Sequence, residues 1–117
     1  MVFLGGGAGS VARYSASRLA VLWPAATLPY TTFGVNLLGS FLIGLLWGWP
    51  AVASRPVWTH LLIAGFCGGF TTFSAFSWEN LCLLRQGNYT AFALYAFGSM
   101  AICLLGAWGG YTIGRTL

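Results

Sequence analysis

Apolar residues fill this chain in four long runs, separated by short stretches carrying proline, arginine and polar groups. The runs cover about Val2 to Trp23, Thr32 to Pro50, His60 to Leu84 and Tyr89 to Ile113. A bilayer core is crossed by about 20 apolar residues in a helix, so each run predicts one crossing. The runs are continuous rather than alternating, which argues against a barrel of strands. Pro24 and Pro29 punctuate the first connection, Ser54, Arg55 and Pro56 the second, and Arg85 to Asn88 the third. The pattern predicts one all-α integral membrane domain over residues 1–117, with four transmembrane helices.

The third run departs from a plain apolar helix. Between Gly65 and Ser77 it reads GFCGGFTTFSAFS, placing Gly68, Gly69, Thr71, Thr72, Ser74 and Ser77 among Phe70, Phe73 and Phe76. Each interior glycine weakens a helix by about 1 kcal/mol relative to alanine, and in lipid a freed carbonyl finds no water. The glycine pair therefore predicts that the third helix is broken at mid-membrane. Irregular backbone survives at that depth only where protein buries it or it lines a cavity, and its carbonyls can then hold a cation. A glycine packing face with ordinary core phenylalanines is the alternative. Phe73 and Phe76, three apart, share a face.

Polar groups in the other runs are sparse enough to name. Arg13 falls near the middle of the first run, after the small residues Gly5 to Ser10. A central arginine costs about 3 kcal/mol on insertion scales unless it meets protein or water. Bonding helix-end carbonyls and raising the potential of an anion vestibule are both open to it. In the second run Thr32, Asn36, Ser40, Gly44 and Gly48 recur every four residues and share one face, with Gly44 and Gly48 suited to close helix contact. Asn36 is either interhelical glue or a donor to a passing anion. Tyr95, Ser99 and Cys103 form a weakly polar stripe on the fourth run, fit for interhelical bonds or for an ion shedding water. Glu79, the sole acid, sits near the end of the third run, where a pore-mouth or interfacial position suits it better than proton carriage.

Composition narrows the function. The chain is 58% hydrophobic and 5% charged over 117 residues, against about 25% charged in soluble domains. Its mean hydropathy is +0.80. Five arginines against one acid give a net charge of +4, too scattered for a nucleic-acid surface. Cys67, Cys82 and Cys103 have no metal-ligand spacing and read as packing residues, and His60 has no ligand partner at helical spacing. No cleavable leader is expected from MVFLGGGAGS, which lacks a basic start. Four crossings would put Arg55 and Arg115 on one side and Arg18 and Arg85 on the other. That balance gives no positive-inside bias and predicts insertion in both orientations, with an antiparallel homodimer as the product.

Three stretches, GGGAGSVARY, TTFGVNLLGSFLIG and GFCGGFTTFSAFS, together with four helices in a chain of this length, closely resemble the CrcB/Fluc family of fluoride channels. The resemblance runs over essentially the whole chain, and the third stretch is its most specific part. It implies a multi-pass protein of the bacterial cytoplasmic (inner) membrane that exports fluoride passively through two pores in an antiparallel dual-topology dimer. It implies a structural Na⁺ at the dimer interface, held by backbone carbonyls at the positions of Gly68 and Thr71. By the same resemblance Phe73 and Phe76 line the pores, Asn36 donates to fluoride, and Ser74, Tyr95 and Ser99 belong to polar tracks. Glu79 matches an acid near the pore end and Arg13 the first-helix arginine. Ala75 replaces a threonine and Cys103 a serine of relatives.

The chemistry agrees with this reading. Fluoride is small and strongly hydrated, so a pore must replace its water with compact positive partial charge. Amide and hydroxyl donors do so directly, aromatic ring edges weakly, and weak sites in series release the ion faster than a charged trap. The main rival is a small dual-topology, proton-coupled exporter of cations or drugs, which needs a membrane carboxylate, usually in the first helix. Here that helix carries Arg13. An enzyme is excluded by inventory, with one histidine, one glutamate and no paired nucleophile and base. A passive packing subunit would leave the glycine-rich stretch and the phenylalanine pair without a role.

Overall fold

The computed structural model describes residues 1–22 and 29–117. Every regular element among them is helical. α1 spans Val2–Ala20, α2 Tyr30–Gly48, α3 Pro50–Ala53 and α4 Pro56–Trp58. A π-helix follows at Thr59–Cys67, then α5 (Gly68–Phe70), α6 (Phe73–Arg85) and α7 (Tyr89–Gly114). Three stretches, Tyr30–Gly48, Pro56–Arg85 and Tyr89–Gly114, are long and apolar enough to cross a bilayer. α1 has 19 residues, but its glycines, serines and two arginines leave it less apolar. The long axis of 47 Å is close to the 40–45 Å of a bilayer with its headgroups. The end of the first expected run at Trp23, and Pro24 after it, lie outside the described residues.

Backbone approaches backbone wherever side chains are missing. On α2 a Cβ at Gly44 or Gly48 would run into the carbonyls of Ala107 and Tyr111 on α7. On α7 a Cβ at Gly110 or Gly114 would meet the carbonyls of Phe41 and Leu45 in return. The glycine pair read from the second run is thus one half of a reciprocal seam. α1 makes a second seam on the π-helix, where Gly5 and Gly9 lie against the carbonyls of Leu61 and Phe66. Close approach of this kind replaces the hydrophobic drive that lipid does not supply between helices.

Two expectations need correction. The stretch between Pro50 and Trp58 is not a plain loop: prolines at the first helical position start the short helices α3 and α4. The third crossing also does not break at its glycine pair. Gly68 and Gly69 are helical within α5, and the chain leaves the helix at Thr71 (φ −78°, ψ 158°) and Thr72 (φ −146°, ψ 118°). Gly69 is needed instead for packing, because a Cβ there would strike the Gly6 carbonyl of α1. Two residues past the end of α6 stands Gly87, whose φ of +73° suits glycine. The amides of Gly87 and Asn88 then close on the Leu84 and Leu83 carbonyls, each at 3.0 Å. Asn88 caps α7 by accepting from the Ala91 amide at 3.3 Å.

Candidate functional site

The break between α5 and α6 is held by side chains. The Thr72 amide donates to Asn36 Oδ1 at 2.8 Å, and Asn36 Nδ2 donates to the Thr72 carbonyl at 3.1 Å. Asn36 thus pairs with Thr72 as a neighbouring strand would, and one of its amide hydrogens remains for another acceptor. Thr72 Oγ1 caps α6 by accepting from the Ala75 amide at 3.3 Å and lies 3.4 Å from Ser74 Oγ. Thr71 Oγ1 donates back to the Cys67 carbonyl at 2.9 Å. From α1, Arg13 Nε donates to the Gly69 carbonyl at 3.2 Å, with Ser10 Oγ at 3.5 Å from the same oxygen. Arg13 thus makes the bond to a helix-end carbonyl that was one of the two roles open to it.

These bonds redirect two helical partners. In an unbroken helix the Thr72 amide would close on the Gly68 carbonyl, and the Ala75 amide on the Thr71 carbonyl. Here the first goes to Asn36 and the second to the Thr72 hydroxyl. Gly68 faces open space, with nothing within 4 Å of an added Cβ. Hard carbonyl oxygens released in this way fit a small alkali cation, and no group of three or more His, Cys, Asp or Glu able to hold a metal occurs among the described residues.

A second cluster surrounds the only acid. Glu79 accepts from Thr32 Oγ1 at Oε1 and from Tyr95 OH at Oε2, both at 2.6 Å. The carboxylate is half-buried, while Thr32 and Tyr95 are buried. Tyr95 also packs its ring against Phe76 at a tilt of 53°, with centroids 5.1 Å apart, and Phe76 lies 5.8 Å from Phe73. Leu83, Ala91 and Tyr95 form the core beneath, with Phe33, Phe76 and Phe92 against it.

Asn36, Gly68, Thr71, Phe73, Phe76 and Ser99 line one open groove of about 890 Å³, together with Ser40, Met100 and Cys103. Phe73 is 79% exposed and stands proud of the chain. Ser99 is 6% exposed, and its buried hydroxyl has no hydrogen-bond partner among the described residues. Ser74, Tyr95 and Glu79 reach this groove through Thr72, Phe76 and each other, while Arg13 approaches the break from α1.

Ser10, Thr32, Thr72 and Asn80 were not singled out by the sequence as site residues. Asn80 Nδ2 donates to the Phe76 carbonyl at 2.8 Å, and its buried Oδ1 has no partner among the described residues. Ser10 stands three residues before Arg13, a spacing that places both on one helix face, and Thr72 precedes α6 as a capping threonine should. Thr32 carried no local sign of its bond to Glu79.

The family described as CrcB-like protein, Camphor Resistance (CrcB), matches residues 1–111. The chain belongs to this family. Among curated CrcB relatives, a Coxiella burnetii (strain Dugway 5J108-111) protein named fluoride-specific ion channel FluC is 43% identical over 120 aligned positions, covering 100% of this chain and 97% of its own. The protein of that name from Novosphingobium aromaticivorans is 43% identical over 117 positions, covering 97% of this chain and 93% of its own. That from Flavobacterium psychrophilum is 41% identical over 118 positions, covering 99% and 95%. CrcB membership is thus supported over the groove, the break and the glycine seams alike.

Proposed function

We propose that this chain is a fluoride-selective ion channel of the bacterial inner membrane, passing F⁻ down its gradient. The observation that carries the reading is the groove lined by Asn36, Phe73, Phe76 and Ser99, in a chain alike end to end with proteins named as fluoride channels. An ion leaving water meets ring edges, one uncommitted amide hydrogen and a buried hydroxyl. Each is a weak positive partner, so the ion is never trapped. Tyr95 bears on this path indirectly, through its ring contact with Phe76, and Ser74 through Thr72.

The finer reading has α1 as a fourth crossing and two copies inserted in opposite directions. Support for it comes from the even division of the four loop arginines, Arg18, Arg55, Arg85 and Arg115, that four crossings would give, and from an open, largely apolar groove. Closing that groove twice by a two-fold axis gives two pores. The carbonyls of Gly68 and Thr71 would hold a Na⁺ between the copies, and bound there the ion would tie the two broken helices together. The exporter alternative lacks its carboxylate: Glu79 stands on α6, not α1, and both its oxygens are engaged.

A fluoride-electrode efflux assay on purified protein in liposomes tests the channel, with chloride as the control anion. Electrogenic fluoride release without proton coupling is expected, and liposomes that retain fluoride refute it. Cysteine labelling at each terminus tests the pairing: two accessible populations are expected, and a single orientation removes the antiparallel dimer.

A further inference from the structure

We propose that Arg13 is a positioning residue for the broken segment, acting through the hydrogen on Nε rather than through its charge. The inference rests on the reading that the Gly68 and Thr71 carbonyls hold a cation. The break takes from the Gly69 carbonyl the Phe73 amide that would close on it in a continuous helix. Arg13 Nε, at 3.2 Å, stands in that donor's place, with Ser10 Oγ at 3.5 Å. Gly69 itself has no room to shift toward α1, since the Gly6 carbonyl packs against the face where a Cβ would be. On the other side of the break, Asn36 grips Thr72 by both backbone groups. The peptide planes flanking the Gly68 and Thr71 carbonyls are therefore pinned from opposite sides, by α1 through Arg13 and by α2 through Asn36. Losing the α1 pin frees the Gly69 carbonyl to turn, and the Gly68 carbonyl next to it loses its aim.

Donor and charge can be separated by side-chain geometry. A glutamine places its Nε2 four atoms from Cα, where arginine has Nε, so Arg13→Gln keeps the donor and removes the charge. Arg13→Lys keeps the charge but carries its ammonium one bond further out. Arg13→Met keeps similar bulk and loses both. Ser10→Ala removes only the longer companion contact.

The readout is thermal melting of the purified full chain in micelles, titrated with NaCl against N-methylglucamine chloride at constant ionic strength. Sodium binding to the folded state stabilises it by RT ln(1 + [Na⁺]/Kd), so the sodium concentration at which the melting temperature begins to climb, taken here as the midpoint, follows the affinity. Arg13→Gln is expected to keep the wild-type sodium midpoint. Arg13→Met and Arg13→Lys are expected to raise it about tenfold, the factor that about 1.4 kcal/mol commands, and Ser10→Ala by about twofold. Should Arg13→Met fail to fold, Arg13→Gln against Arg13→Lys carries the comparison. A wild-type midpoint in Arg13→Lys with a raised one in Arg13→Gln would assign the role to charge and overturn the proposal. So would an unchanged midpoint in Arg13→Met. If wild-type melting ignores sodium, the cation reading itself falls, and this inference with it.

Discussion

Glu79 is held at both carboxylate oxygens, and removing the two donors one at a time measures what that hold contributes. Thr32→Val removes the bond to Oε1 with little change in volume, and Tyr95→Phe removes the bond to Oε2 while leaving the ring against Phe76. Side-chain bonds between membrane helices average about 0.6 kcal/mol and reach about 1.7. Bonds to ionised groups contribute about 1.5–3 kcal/mol in soluble proteins. At 2.6 Å both contacts have the length of charge-assisted bonds, so each single variant is expected to lose about 1.5 kcal/mol. The double variant should lose more than the sum, by about 0.5–1 kcal/mol, because the half-buried carboxylate then keeps neither donor. Equilibrium unfolding in mixed micelles, followed by tryptophan fluorescence, gives all four corners of the cycle. Single losses under about 0.5 kcal/mol, or no coupling beyond error, would refute the two-handed clamp.

Replacing Phe73 or Phe76 with isoleucine is expected to suppress fluoride flux in liposomes while the protein still elutes as the wild type does; unchanged flux removes the ring edges from the mechanism. Gly110→Ala drives a methyl into the Phe41 carbonyl and should destabilise the α2–α7 seam by about 2 kcal/mol. Its neighbour Gly109→Ala, with nothing within 4 Å, should be neutral or stabilising by up to about 1 kcal/mol in the same unfolding measurement. Cys103→Ser should leave melting unchanged and hold or raise fluoride flux, since it adds a hydroxyl to the groove wall one turn from Ser99; a marked fall in flux would show that the thiol has its own role.

The glycine spacing of the second run pointed to a close neighbour, and Gly44 and Gly48 do meet α7 backbone to backbone. Which other glycines serve the same purpose was not legible: Gly5 and Gly9 press on the π-helix, whereas Gly7, Gly34 and Gly98 face open space. Helical period assigns residues to a face, but only the packed neighbour says what that face meets. The interruption of the third helix was legible, while its location was not. Local propensity favoured Gly68 and Gly69, yet both stay helical in α5, and Gly69 packs on Gly6 of α1. The break falls where Asn36, distant in sequence, offers Thr72 a substitute partner. The π winding of Thr59–Cys67 had no sequence sign. For Glu79, the run of residues suggested a wet mouth, but the hydroxyls that hold it lie on α2 and α7.

On the proposed reading, the hydrogen bonding at the break would let one thin chain serve both an anion and a cation. Two of the backbone amides freed by the break are taken up by protein oxygens, Thr72 by Asn36 and Ala75 by the Thr72 hydroxyl. The acceptors that lose those amides are the Gly68 and Thr71 carbonyls, and unpaired carbonyls in lipid cost several kcal/mol unless something positive meets them. That need for positive charge is confined to the break. Along the groove the surplus is of the opposite kind: the Ser99 hydroxyl and the second amide hydrogen of Asn36 are donors in need of an acceptor. On that reading, the Gly68 and Thr71 carbonyls at one point and the side-chain donors strung along the groove would keep the two ions apart. A substitution that crosses them should therefore damage both functions at once. Asn36→Asp is such a change, since it keeps the acceptor for Thr72 and turns the donor into a second acceptor facing the Thr72 carbonyl. It should lower sodium-dependent stability and fluoride flux together, and loss of flux with an unaltered sodium response would show that the two duties of Asn36 are separable.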